Sequence, residues 1–382
     1  MIRVSQPFVG EEEIEAVSEV LRSGRYLQGP RVEEFEQRFA EYVGATHGIA
    51  VSSGTAALHI SLAAHGIGPG DEVIVPPLTF FSSVTAVLHQ HAIPVFADID
   101  PGLYCLDPED VRRRVTDRTR AIMPVHLFGC PADMDGIQAI AAEFDLIVIE
   151  DCAQAHGASY RGRGVGSMGA AGCFSFYATK NMTTGEGGMI VTNDEAIAGR
   201  CRLIRSHGMT DRDTHRILGY NYRMTEMAGA MGVVQLGRLP ELNRKRTENS
   251  EYLLENLADV PWLKVPTVPE HVEHVYFWCP VQVLEQKLGV GTPELVALLR
   301  ERGVEVRQRY SAPLYRQPLL TESGNYPLNE PHYGNAPQYG ELRLPVCEQV
   351  CGRMIGLPNH PGLSRSELDT VLAVLHGVLP EA

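Results

Sequence analysis

The spacing of apolar positions changes several times along the chain. Residues 11–23 place Ile14, Val17, Val20 and Leu21 at helical spacing behind an acidic first turn, Glu11-Glu12-Glu13, which suits the positive end of a helix. Residues 32–43 repeat the pattern with Val32, Phe35, Phe39 and Tyr42. Short apolar runs then alternate with helical segments. The runs 48–52, 72–76, 93–97, 121–125 and 146–149 read as strands, and 55–65, 82–90, 107–115 and 134–143 as the helices between them. Runs that are apolar on both faces and joined by short connections predict a mostly parallel, doubly wound α/β sheet covered by helices on each side. Two further strands are expected at 173–177 and 189–192.

From 224 to about 257 the pattern is helical again, with an interruption expected at Pro240. Beyond Pro261 come a strand at 275–283, a helix at 293–301, a strand at 304–306 and a closing helix at 366–379. Between them, 311–345 is rich in Pro, Tyr, Gly and Asn and reads as a long loop, a feature usually tied to function. The expected division is a large domain, 1–245, and a smaller C-terminal α/β domain, 246–382.

With 44% hydrophobic and 21% charged residues the chain can bury a sizeable core. A net charge of −14 disfavours nucleic acid and anionic membranes as partners. No apolar run reaches the ~18 residues of a membrane span, and the N-terminus lacks the apolar core of an export signal. The eight cysteines are scattered without a Cys-x-x-Cys pair. Reduced thiols, a cytoplasmic location and no metal site are therefore expected.

In an open parallel sheet, ligands sit beyond the carboxyl ends of the strands. Three such ends carry chemistry here. Ser52-Ser53-Gly54-Thr55 opens a helix, either as an anion site of free N–H groups and hydroxyls or as a plain cap. Glu150-Asp151-Cys152-Ala153-Gln154 puts carboxylates at a buried strand end. They need a cation there, whether a ligand nitrogen, Mg²⁺ or a protein partner. Lys180, three residues past a strand, is either a surface lysine or a desolvated nucleophilic amine. Together, a phosphate site, a carboxylate for a pyridinium and an amine for a carbonyl are what pyridoxal 5′-phosphate requires. Phe80 or Phe81 could cover a face of its ring. Gly164-x-Gly166-x-x-Gly169 matches a dinucleotide fingerprint on paper, but polar residues precede it and no apolar helix follows.

Read as a whole, the sequence resembles the DegT/DnrJ/EryC1/StrS family of pyridoxal phosphate-dependent sugar aminotransferases. The likeness rests on residues 52–58, 69–76, 124–129, 150–157, 174–181 and 219–224, and continues more loosely through 357–361. It implies a fold type I aminotransferase, a homodimer with active sites at the subunit interface. It implies Lys180 as the covalent attachment point and Asp151 as partner of the pyridine nitrogen. Gln154 would lie near the ring or its 3-hydroxyl, and Phe80 would stack on the ring. Ser53, Gly54, Thr55 and Ser175 would hold the phosphate, and Asn221 would reach the phosphate bound by the neighbouring subunit. Arg223 is a further candidate. A dehydrating branch of the family carries histidine where this chain has Lys180.

The same resemblance implies an acceptor that is a ketosugar nucleotide, a keto-cyclitol of the scyllo-inosose type or an aminohydroxybenzoate precursor. Gln154 matches the nucleotide-sugar enzymes, whereas residues 100–107 also look like the other branches. The implied donor is glutamate or glutamine. In 307–345, Arg307, Arg309, Tyr310, Tyr315 and Arg316 either meet the acceptor or belong to a solvated loop with packed tyrosines. A cofactor-binding sensor without turnover would keep the same phosphate and lysine residues.

Overall fold

The computed structural model describes residues 1–322, 327–334 and 336–378. Seven strands build the central sheet: β1 (His47–Val51), β2 (Glu72–Val75), β3 (Ile93–Phe96), β4 (Thr119–Ile122), β5 (Ile147–Asp151), β6 (Ala171–Ser175) and β7 (Gly188–Thr192). Their order is β1-β7-β6-β5-β4-β2-β3. The block from β3 to β6 is parallel, and β7 runs against both of its neighbours. The expected mostly parallel α/β sheet is thus what forms, with one reversed strand.

Eight helices lie with this sheet: α1 (Glu11–Ser23), α2 (Pro30–Val43), α3 (Gly54–Ala64), α4 (Ser82–His89), α5 (Pro108–Arg114), α6 (Met134–Phe144), α7 (Glu195–Arg205) and α8 (Glu226–Leu257). α3 is apolar nearly all round and almost wholly buried, so its N-terminus is fixed at the sheet. On the other face Phe39 of α2 packs edge-on against Phe174 of β6 and against Phe176 just beyond it, and Phe35 packs at a tilt on Phe176, with ring centroids 4.8–5.2 Å apart. α7 has no counterpart in the apolar pattern. It starts at Asp194, whose carboxylate accepts the Ala196 and Ile197 amides.

A second, antiparallel sheet follows: β8 (Leu263–Lys264), β9 (Cys279–Val283), β10 (Arg307–Arg309) and β11 (Met354–Leu357), in the order β8-β9-β11-β10. With the end of α8, α9 (Thr292–Glu301) and α11 (Arg365–His376) it encloses its own apolar cluster around Trp262, Val281, Leu295 and Leu375. The strand expected from 275 starts only at Cys279, because Tyr276 takes a positive φ of 43° and bends the chain. The strand expected at 304–306 lies at Arg307–Arg309, while Val304 bridges to Ile2. Leu379, the expected end of the closing helix, lies outside the described residues.

The segment 311–345 is not a bare loop. It holds short helical turns at Leu314–Arg316, Pro318–Thr321, Pro331–Tyr333 and Tyr339–Glu341, and α10 (Pro345–Val350) follows; residues 323–326 and 335 lie outside the description. Tyrosines pin it to the central sheet. Tyr339 donates to the Pro94 carbonyl at 2.8 Å, and the Tyr315 and Tyr339 rings both pack on Phe96. Among the described residues no helix is long and apolar enough to cross a membrane.

α8 is one continuous helix with Pro240 inside it, which corrects the expected interruption. Pro240 is exposed, so its ring meets solvent while the helix carries one missing backbone hydrogen bond. Gly237, one turn away and also exposed, has open space where a Cβ would stand. Gly237→Ala should therefore stabilise the protein by about 0.5–1 kcal/mol in urea unfolding. No gain, or a loss, would mean that the helix is broken at Pro240.

Candidate active site

β5 delivers two consecutive carboxylates into the interior. Because strand side chains alternate, they leave on opposite faces and meet different surroundings. Glu150 is fully buried and fully matched. It accepts the Gly166 amide at 2.7 Å, the Met168 amide at 2.8 Å, the Gly169 amide at 2.6 Å and His126 Nε2 at 3.0 Å. His126 Nδ1 accepts the Ala132 amide, so Nε2 carries the proton that goes to Glu150. The glycine run 164–169 is thereby explained: it cradles the chain's own carboxylate. A Cβ on Gly169 would lie 2.6 Å from the Val148 carbonyl, and Gly166 has a φ of +90°. His126, Glu150 and Cys152 bring ligand-type atoms within 4.8 Å of one another, but Glu150 is already committed to these bonds.

Asp151 is equally buried and far less matched. Ser83 Oγ donates to it at 2.9 Å and the Ala153 amide at 3.1 Å. Burial raises its pKa despite these bonds and despite the Lys180 charge, so this carboxylate calls for a cation. Ser83, on α4, is a functional residue that the sequence reading passed over. Its signal was a hydroxyl one position beyond the strand-to-helix turn after β2.

At the N-terminus of α3 the elements of an anion cradle come together. Ser53 caps the helix by accepting the Ala56 amide, which leaves the amides of Gly54 and Thr55 without an intrahelical partner. Thr55 Oγ1 and Ser82 Oγ are 2.8 Å apart. A Cβ on Gly54 would stand 2.7 Å from the Cβ of Ser175, so only glycine lets β6 bring its serine this close to the helix end. Two free amides, the hydroxyls of Thr55 and Ser175 and the positive helix end suit a phosphate. Phe80, just before α4, is 65% exposed and leaves an apolar ring face uncovered.

Lys180 follows β6, and its Nζ sits 4.5 Å over the Phe277 ring. Burial lowers its pKa to about 8; Asp151 opposes that shift and the Arg309 guanidinium assists it. The other three lysines are ordinary. Lys245 pairs with Glu241, Lys264 donates to the Pro101 carbonyl and Lys287 is exposed. Asn181 donates to Asn243 on α8 and to the Val275 carbonyl, which fixes the turn that carries Lys180.

Gln154 bridges the two sheets. Its Oε1 accepts the Phe128 amide at 3.0 Å and its Nε2 donates to Tyr310 Oη at 3.3 Å. Phe128 and Tyr310 both hold positive φ, 58° and 53°, conformations that bulky residues adopt only when the surroundings impose them. Buried His156 has no partner on either ring nitrogen, and burial with the nearby Lys180 charge pushes its pKa down to about 3, so it stays neutral.

Other expected residues are placed differently. Tyr315 is fully buried, donates to Glu348 at 2.7 Å and lies under the Arg316 guanidinium, so it does not face a substrate. Arg316 is held by Glu348 and two carbonyls, and Arg307 pairs with Glu305. Arg223 is half-buried and forms a backbone bridge with Val51 at the end of β1. Asn221 is exposed on the same extended segment, bridged to Ser206, and no hydrogen bond draws its side chain to the α3 cradle.

The family model described as the DegT/DnrJ/EryC1/StrS aminotransferase family matches residues 7–376. The spore coat polysaccharide biosynthesis protein SpsC of Bacillus subtilis is 37% identical over 99% of this chain and 97% of that protein. The crystal structure of S. venezuelae DesV, in complex with a ketimine intermediate, is similar at 37% identity with a TM-score of 0.86, over 95% of this chain and 93% of that one. DesI, solved in the presence of its TDP-sugar product, is 31% identical with a TM-score of 0.86, over 98% and 92%.

Two outcomes follow from the paired carboxylates. Glu150→Ala strips the partner from three buried amides and His126 and should cost about 3–5 kcal/mol in denaturant unfolding; a loss under 1 kcal/mol would contradict the cradle. In protein stripped of ligand, acylation of Lys180 should rise with pH through a midpoint near 8, because only the neutral amine reacts. Asp151→Asn removes the charge that favours the ammonium, so the midpoint should fall; a rise would show that Asp151 does not act on Lys180.

Proposed function

The chain belongs to the DegT/DnrJ/EryC1/StrS aminotransferase family, and from that premise we propose that it moves an amino group from glutamate or glutamine to the keto group of a nucleotide-activated sugar. It is a fold type I aminotransferase, and its cofactor is pyridoxal 5′-phosphate. The observation that carries the reading is Asp151, a buried carboxylate that among the described residues has two hydrogen bonds and no paired cation, acting on a lysine whose pKa burial lowers to about 8.

The residues divide the work. The amides of Gly54 and Thr55, with the hydroxyls of Ser53, Thr55 and Ser175, hold the phosphate. Asp151 would keep the pyridine nitrogen protonated, and Gln154 and Phe80 would border the ring. Bound this way, the cofactor supplies an electron sink for the donor's α-carbon. Lys180 Nζ would be the cofactor's attachment point and, once released, the base that takes the proton from the donor's α-carbon and later gives it back. An amine with a pKa near 8 suits both directions of that transfer.

A nucleotide-activated ketosugar is supported by the TDP-sugar named for DesI and by Gln154, the residue that the nucleotide-sugar branch resembles at this position. The spore-coat polysaccharide role named for SpsC points to sugar chemistry as well. We take the enzyme to be a cytoplasmic homodimer in which Asn221 reaches the partner's phosphate site; its exposure and lack of a local partner favour this. The segments 1–245 and 246–382 would then act as the cofactor domain and its smaller companion.

Purified protein should absorb at about 410–430 nm and lose that band toward about 330 nm on adding glutamate or glutamine. A ketosugar nucleotide should restore it, and Lys180→Ala should show no such cycle. Restoration by a keto-cyclitol alone would move the enzyme to that branch. A band that no amino acid shifts would contradict transamination.

A further inference from the structure

On the transaminase reading above, we propose that Arg309 anchors the α-carboxylate of the amino-acid donor. Arg309 ends β10, the edge strand of the small sheet, and the left-handed Tyr310 turns the chain immediately after it. Its guanidinium lies over the Trp278 ring, 4.7 Å from the centroid. The adjacent Phe277 ring, 6.3 Å from that of Trp278, is the one beneath Lys180 Nζ. Two cations therefore ride on the rings of two consecutive residues.

Arg309 is also the arginine of its strand region that the fold leaves unused. Arg307 is paired with Glu305, Arg316 with Glu348 and Arg353 with Glu285. Among the described residues the Arg309 side chain has neither a hydrogen bond nor an ion pair, although its strand mates are ordered around it. The indole lies beneath the guanidinium carbon and gives the side chain a fixed neighbour. The N–H groups lie in the guanidinium plane, so a carboxylate can still take two of them side by side.

The geometry favours the donor over the acceptor. An amino-acid donor carries its carboxylate two bonds from the amine that takes the place of Lys180 Nζ, so its anchor must lie close to that amine. The ketosugar's charge lies on its diphosphate and not on the reacting carbon, so it does not set a carboxylate at a fixed two bonds from the amine. A guanidinium on the Trp278 ring, next to the Phe277 ring that carries Lys180 Nζ, meets the first requirement.

The test separates the two half-reactions. In single-turnover measurements on the cofactor-loaded enzyme, Arg309→Gln should raise the half-saturating glutamate or glutamine concentration by about tenfold or more, and Arg309→Lys by less. The response to 4-aminobutyrate, which lacks the α-carboxylate, should not change, and neither should the acceptor half-reaction. Calorimetry with 2-methylglutamate, which has no transferable α-hydrogen, should show the same loss of affinity. In protein stripped of cofactor, the Lys180 titration midpoint should move up in Arg309→Gln. Weakening confined to the acceptor half-reaction would assign Arg309 to the diphosphate and overturn the proposal. Equal weakening toward glutamate and 4-aminobutyrate would make it a packing residue and do the same. If the wild-type enzyme accepts no amino acid, transamination itself fails, while the calorimetric comparison still decides Arg309.

Discussion

A carboxylate buried at the end of a parallel strand is stable only if a cation or a set of N–H groups meets it, and β5 makes that demand twice in succession. Glu150 is satisfied from within, by His126 and the three amides of the 166–169 turn. Asp151, on the other face, receives a serine hydroxyl and one amide and is left short. The first carboxylate builds the fold, and on the proposed reading the second serves a ligand. The two roles support each other: the Glu150 cradle and the His126 amide bond to the Asp151 carbonyl fix the strand end on which Asp151 is presented.

Around that strand end the fold brings in its other parts by close approach. Gly54 lets Ser175 of β6 come against the N-terminus of α3. Gly188 of β7 makes a similar approach; a Cβ there would lie 2.4 Å from the Ser53 carbonyl. The reversed strand β7 therefore closes off the candidate anion cradle at the start of α3. From the other side the small sheet contributes Phe277, Trp278, Arg309 and Tyr310, and the bond from Gln154 to Tyr310 joins the two walls. The tyrosines of 311–345 anchor that wall to β3 and α4, so the region read as an acceptor loop is largely packing.

Much of this was legible in the sequence because it is written locally. The alternation of buried runs and helices gave the sheet, and residues just past strand ends gave Gly54, Asp151 and Lys180. What was not legible depends on contacts distant in sequence. Nothing near Tyr315 announces that its hydroxyl is taken by Glu348, nor does anything near Lys180 announce Phe277. α7 escaped notice because three arginines interrupt its short apolar stripe, and Pro240 misled because an exposed proline can be carried inside a long helix. The glycine run 164–169 resembled a dinucleotide motif since both solve one problem, presenting backbone amides to an anion.

The central claim is that the fold sets Lys180 apart as the amine that joins the cofactor. The chain has four lysines, Lys180, Lys245, Lys264 and Lys287, so the claim can be read from a peptide map. The protein would be loaded with pyridoxal 5′-phosphate, reduced with borohydride, digested and analysed by mass spectrometry. The account predicts a stoichiometric adduct on Lys180 and none above background on the other three. Label spread over Lys245, Lys264 and Lys287, or absent from Lys180, would contradict it.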